Sequence, residues 1–130
     1  MKPATILLCL MFVTACQADE TVRGYGGADK TWMLSELDGR PFPAKATLIF
    51  PEAGRIAGEA PCNAYSAEMS VPYPWFEAGP IMTTRRACPD LAAETRFLEA
   101  LAAMTLSEVL ENTLVLSTPD GREMVFTASP

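Results

Sequence analysis

From Lys30 onward the chain runs in short stretches of alternating apolar and polar residues, each cut off by a turn rich in proline or glycine. Stretches of that length and period bury one face of a β-strand and are too short to be helices. "KTWMLSEL" sets Trp32 and Leu34 on one side before "DGRPFP" interrupts it. "KATLIF" turns Ala46, Leu48 and Phe50 one way against Thr47 and Ile49, and stops at "PEAG". "RIAGEA" follows, then a Pro-Cys-Asn turn, then "AYSAEMS", in which Tyr65, Ala67 and Met69 share a face. Towards the C-terminus, "LSEVLE", a tight Glu111-Asn112 turn, "TLVLS", the turn "TPDG" and "EMVFTA" place Leu114, Leu116, Met124 and Phe126 inward in hairpin-linked strands. "VPYPWFEAGPIMTT" carries too many prolines for a central strand and reads as an edge or irregular crossing, with Trp75 and Phe76 covering the core.

One segment breaks this cadence. In "CPDLAAETRFLEALAAM", Pro89 suits the first position of a helix, and Asp90 and Glu94 suit the positive end of its dipole. Leu91, Phe97, Leu98, Leu101 and Met104 form an apolar stripe, leaving Glu94, Arg96 and Glu99 for water. The polar face lacks the lysines and arginines of a membrane-surface helix, so the stripe reads as core. The expected fold is mainly β, or α+β: an antiparallel half-barrel of about seven short strands with one helix closing a side.

The N-terminus speaks to compartment. "MKPATILLCLMFVTAC" has one charge at Lys2, an apolar run from Ile6 to Val13, and small residues before Cys16. That is the form of an export signal, well short of the roughly 20 apolar residues needed to span a membrane. Val13-Thr14-Ala15-Cys16 resembles the lipobox of bacterial lipoproteins, in which cleavage precedes a cysteine that is then acylated; ordinary cleavage after Ala15 is the alternative. Residues 1–15 are therefore expected to be a lipoprotein signal peptide, with Cys16 the lipidated residue. Residues 16–29, polar and glycine-rich, read as a flexible tether, and residues 30–130 as the folded domain. Gln17 after the anchor resembles an outer-membrane address, which places the domain in the envelope facing the periplasm.

The chain has four cysteines. With Cys9 lost in the signal and Cys16 acylated, Cys62 and Cys88 remain, and two thiols in an oxidising compartment most simply form a disulfide. A metal site or a catalytic thiol would call for histidine, and the chain has none. If the helix begins at Pro89, the bridge pins its entrance to the turn at 61–63. Neither a metal nor another cofactor is expected.

Charge narrows the partners. A net charge of −6 excludes a nucleic-acid role that rests on basic patches, and it grows more acidic once Lys2 is removed. Membrane attachment must then come from the lipid, and a cationic protein remains a fitting partner. Glu52, Glu59, Glu68 and Glu77 lie in turns or exposed strands, where a solvated carboxylate is the default, so no carboxylate pair suited to hydrolysis stands out. A Cys62–Cys88 bond would gather Asn63, Tyr65, Thr84, Arg85 and Arg86 into a donor-rich patch able to hold a carboxylate or phosphate. The competing reading has Asn63 serving its own turn, Tyr65 packed with its hydroxyl at the rim, and the arginines paired with nearby acids.

Four pieces in order resemble the META domain family, of the HslJ-like kind: "WMLSELDG", "TLIFPEAGRIAGEAPCNAYSAEM", "TTRRACPD…ETRFLEAL" and "NTLVLSTPDGREMVF". Pro61 stands where the family usually has glycine, and Arg86 where it usually has methionine. The resemblance implies an antiparallel β fold with one helix, an envelope location and a link to stress, but no particular chemistry. With no histidine, nucleophile motif or phosphate-cradling loop in the chain, the expected protein is a non-enzymatic, monomeric module that touches envelope proteins; an inhibitor of a basic secreted protein such as lysozyme is the alternative.

Overall fold

The computed structural model describes residues 3, 4 and 18–128. Cys16 and nearly all of the expected signal segment lie outside the described residues. The alternating runs become β1 (Trp32–Leu37), β2 (Arg40–Pro41), β3 (Thr47–Glu52), β4 (Arg55–Glu59), β5 (Ala64–Glu68) and β6 (Met82–Thr83). The helix α1 (Leu91–Ala103) follows, and then β7 (Leu106–Leu110), β8 (Thr113–Ser117) and β9 (Glu123–Ala128).

These strands make one antiparallel sheet in the order β6-β5-β4-β3-β1-β9-β8-β7, with β2 paired to β1. The first and last long strands are neighbours, so the termini of the domain are locked in the middle of the sheet. The sheet curls but stays open. Its β7 edge is covered by the proline-rich crossing: Ser107 N donates to Pro74 O at 2.7 Å and Phe76 N to Thr105 O at 2.9 Å. Among the described residues there are nine strands rather than about seven, because the two-residue strands β2 and β6 lie in proline-flanked stretches that carry no readable alternation.

The core follows the alternation. Trp32, Leu48, Ile56, Leu114, Leu116, Met124 and Phe126 are fully buried on the inner face. Each such side chain contributes about 1.5–3 kcal/mol through lost apolar surface. Helix α1 closes the open side with Phe97, Ala100 and Leu101, and the Phe97 ring meets Tyr65 edge-on at 5.5 Å and Phe42 at 6.3 Å. Where β4 crosses β3, a Cβ on residue 58 would lie 2.1 Å from Thr47 O, so only glycine fits there.

Several expectations are corrected. Phe76 is buried, but Trp75 is 56% exposed and covers no core. The helix begins at Leu91, with Pro89 and Asp90 in the preceding turn, and Leu91 itself is exposed. Glu94 does not face water; it is buried. Residues 20–29 are not a loose tether. Val22 is fully buried, a kinked π-helical turn spans Arg23–Gly27, and Trp32 Nε1 donates to Gly27 O at 2.9 Å. Arg23 Nε donates to Phe50 O at 3.1 Å, joining this turn to β3.

Candidate functional site

The Pro-Cys-Asn turn is densely hydrogen-bonded. Cys62 and Cys88 are disulfide-bonded, with Cα atoms 5.7 Å apart. Next to the bridge, Asn63 is buried and every polar atom of its side chain is used. Its Oδ1 accepts from Thr84 Oγ1 at 2.9 Å and from Arg86 N at 2.6 Å. Its Nδ2 donates to Arg86 O at 3.0 Å and to Glu94 Oε2 at 2.7 Å. Glu94, rising from the first turn of α1, accepts at Oε1 from Cys62 N at 3.0 Å and Asn63 N at 2.7 Å.

A buried carboxylate is tolerated only where donors replace its water. Here three N–H donors do so, and they come from the turn that the disulfide fastens to the helix entrance. Helix, turn and the 84–88 segment are thereby one joint. Tyr65 adds a second tie, its hydroxyl donating to Thr47 O at 2.6 Å. Burial pushes the Tyr65 phenol well above its ordinary range, so it stays a donor.

The five-residue patch expected around the bridge therefore divides in two. Asn63 and Tyr65 are buried and committed to the fold, and the Thr84 hydroxyl is given to Asn63. Arg85 and Arg86 are exposed, and no described acid lies within ion-pair distance of either. The expected pairing of these arginines with nearby acids is thus not made. Arg86 owes its place to backbone: its N–H and C=O both bond to Asn63, which explains how an arginine sits where an apolar residue is usual.

Two features escape the sequence reading. Glu94 shares a helix face with Phe97 and Leu101, the i, i+3, i+7 spacing of the apolar stripe, so its position does carry a signal of burial. A surface cavity of about 420 Å³ is lined by Leu37, Asp38, Arg40, Phe42, Arg96 and Arg122 among others, and shares no lining residue with the Asn63 network. There Arg122 Nη2 lies 3.1 Å from Asp38 Oδ2. The Glu123 N–H bonded to Asp38, with Arg122 adding to it, holds that carboxyl below its ordinary range despite some burial. Among the described residues, no group of three or more histidines, cysteines or acids is placed to hold a metal.

No curated protein matches the chain significantly. An NMR structure of a protein from Burkholderia xenovorans is 24% identical, with a TM-score of 0.66, covering 79% of this chain and 83% of that one. The crystal structure of a DUF4847 family protein from Bacteroides vulgatus ATCC 8482 is 14% identical, with a TM-score of 0.65, covering 82% of this chain and 96% of its own. Both likenesses speak to fold alone. The META domain model matches residues 27–130, which takes in every strand, the helix and the bonded turn. The chain belongs to the META domain family.

Proposed function

We propose that this META domain protein is a non-enzymatic lipoprotein of the bacterial envelope, exported by residues 1–15, acylated at Cys16, and held at the outer membrane facing the periplasm. It acts by surface contact with envelope proteins, in a role linked to stress. One observation carries the non-enzymatic reading: the most polar buried cluster, Asn63 with Glu94, spends its bonding capacity on the fold. A catalytic acid or base needs a face open to substrate, and this carboxylate is turned to three internal donors. Crosslinking of the lipidated protein in intact cells, followed by mass identification of captured chains, tests the reading. Turnover of a glycosidase or peptidase substrate, abolished by one Glu→Gln change, would overturn it.

The net charge favours a second reading, an inhibitor of a basic secreted protein such as lysozyme. Slowed lysis at low salt that recovers at moderate salt distinguishes the two.

A further inference from the structure

The folded part of the chain begins almost at the anchor. Asp19 already belongs to the domain: Thr21 N and Thr21 Oγ1 donate to its Oδ1, and Arg23 Nη1 lies 3.4 Å from its Oδ2. Two residues, Gln17 and Ala18, separate it from Cys16. Three Cα steps reach at most about 11 Å. A domain of this size has a radius of gyration of about 13 Å. The leash is shorter than the body it holds, so the surface around Asp19 cannot stand clear of the membrane.

Glu20, Ala53, Gly54 and Pro72 lie directly around Asp19, and an aromatic patch adjoins them. Tyr73 N donates to Glu20 O at 2.7 Å, bringing the proline-rich crossing beside the first folded residues. Tyr25 and Tyr73 stack there, ring centroids 4.7 Å apart and 9° from parallel, with Tyr25 56% exposed. Tyr73 Oη accepts from Val109 N at 3.4 Å, which continues the surface onto β7. On that edge Leu110 is 71% exposed, and Trp75, bridged to Leu106, is the exposed one of the chain's two tryptophans. Exposed tyrosine and tryptophan suit the headgroup layer, where a ring meets acyl chain and its polar atom meets water.

Resting on the reading of Cys16 as acylated, we propose that the surface formed by Tyr25, Tyr73, Trp75 and Leu110 lies against the membrane that holds the anchor. Glu20 and Glu108 border it, Lys30 donates to Glu111 O beside Leu110, and Arg23 is paired with Asp19, so the border carries no excess of positive charge and suits a zwitterionic headgroup better than an anionic one. The domain is thereby presented in one orientation, with β7 and the N-terminal turn towards lipid.

Trp75 reports on this directly, because Trp32 is fully buried. The purified lipidated chain is placed in phosphatidylethanolamine–phosphatidylcholine vesicles, with or without bromine on the acyl chains. Bromine near the headgroup should lower tryptophan emission about two-fold, and bromine at the chain end should do less, as fits a ring at headgroup depth. Trp75→Phe should remove the quenching, and Tyr25→Ser with Leu110→Glu should weaken it. Equal emission in brominated and plain vesicles, from protein whose intact mass shows the acyl chains, overturns the proposed orientation and leaves the lipoprotein reading standing. An intact mass without acyl chains overturns both.

Discussion

Replacing Glu94 tests whether the joint beside the disulfide is a structural network. In Glu94→Ala, the amides of Cys62 and Asn63 and the Asn63 Nδ2 lose their acceptor. A buried donor left unmade costs about 1–3 kcal/mol. The bond from the Cys62 amide is only partly buried, so the two donors of Asn63 count in full and the expected loss is about 2–6 kcal/mol. Glu94→Gln is subtler. Its oxygen can still take both backbone amides, but its NH2 then faces Asn63 Nδ2, donor against donor. Asn63 cannot turn over to help, because its Oδ1 already accepts from Thr84 and Arg86. That change should therefore cost less, about 1–3 kcal/mol. Urea unfolding followed by circular dichroism, with the slope unchanged, measures both losses. A double-mutant cycle with Asn63→Ala should show coupling, since the two residues share one network. Wild-type stability in Glu94→Gln, or strict additivity in the cycle, would refute the reasoning.

Removing both bridge cysteines as serines should cost about 3.5 kcal/mol, the chain-entropy value for a separation of 26 positions; urea midpoints with and without reductant check it. Val22→Ala should lower stability by about 2 kcal/mol if the N-terminal turn is part of the core, and should be silent if residues 20–29 are a tether. The folded Asp38 carboxyl is held below the ordinary value of 3.8, first by the Glu123 N–H and then by Arg122. Its contribution is therefore present above that value and lost as pH falls through the folded one, so the stability gap between wild type and Asp38→Asn should narrow in acid unfolding curves.

Strands that alternate cleanly were legible because burial on one face leaves a period of two. Trp32 and Leu34, Leu48 and Phe50, Leu114 and Leu116 all lie inside as that period requires. The pattern fails where backbone bonding, not side-chain burial, decides. Strand β2 is paired through Glu36–Pro41 and Leu37–Arg40, and both of its own residues are exposed, so nothing in its composition announces it. Trp75 misleads for a related reason: its backbone bridges to Leu106 at the sheet edge, which points a large ring outward. The N-terminal turn hides for a third. Val22 is its one buried apolar side chain, and the rest is held by Trp32 Nε1, Arg23 and the positive φ of 114° that Gly26 permits. A single apolar residue has no period.

The site divides along the same line. Cysteines can be counted in a sequence, so the bridge was foreseeable, whereas the partner of Asn63 depends on how far α1 is rotated about its axis. That rotation is set by Phe97 and Leu101 entering the core, and Glu94 is carried inward with them because it sits three residues before Phe97. Once inside, the carboxylate needs donors, and the turn at 62–63 supplies them. The same network then fixes Arg86 through its backbone N–H and C=O while its guanidinium stays in solvent. A charge on a backbone so held loses less freedom on meeting a partner than one on a mobile loop. The joint and the exposed arginines are thus connected: the apolar stripe of the helix buries Glu94, Glu94 orders Asn63, and Asn63 sets where Arg86 leaves the surface.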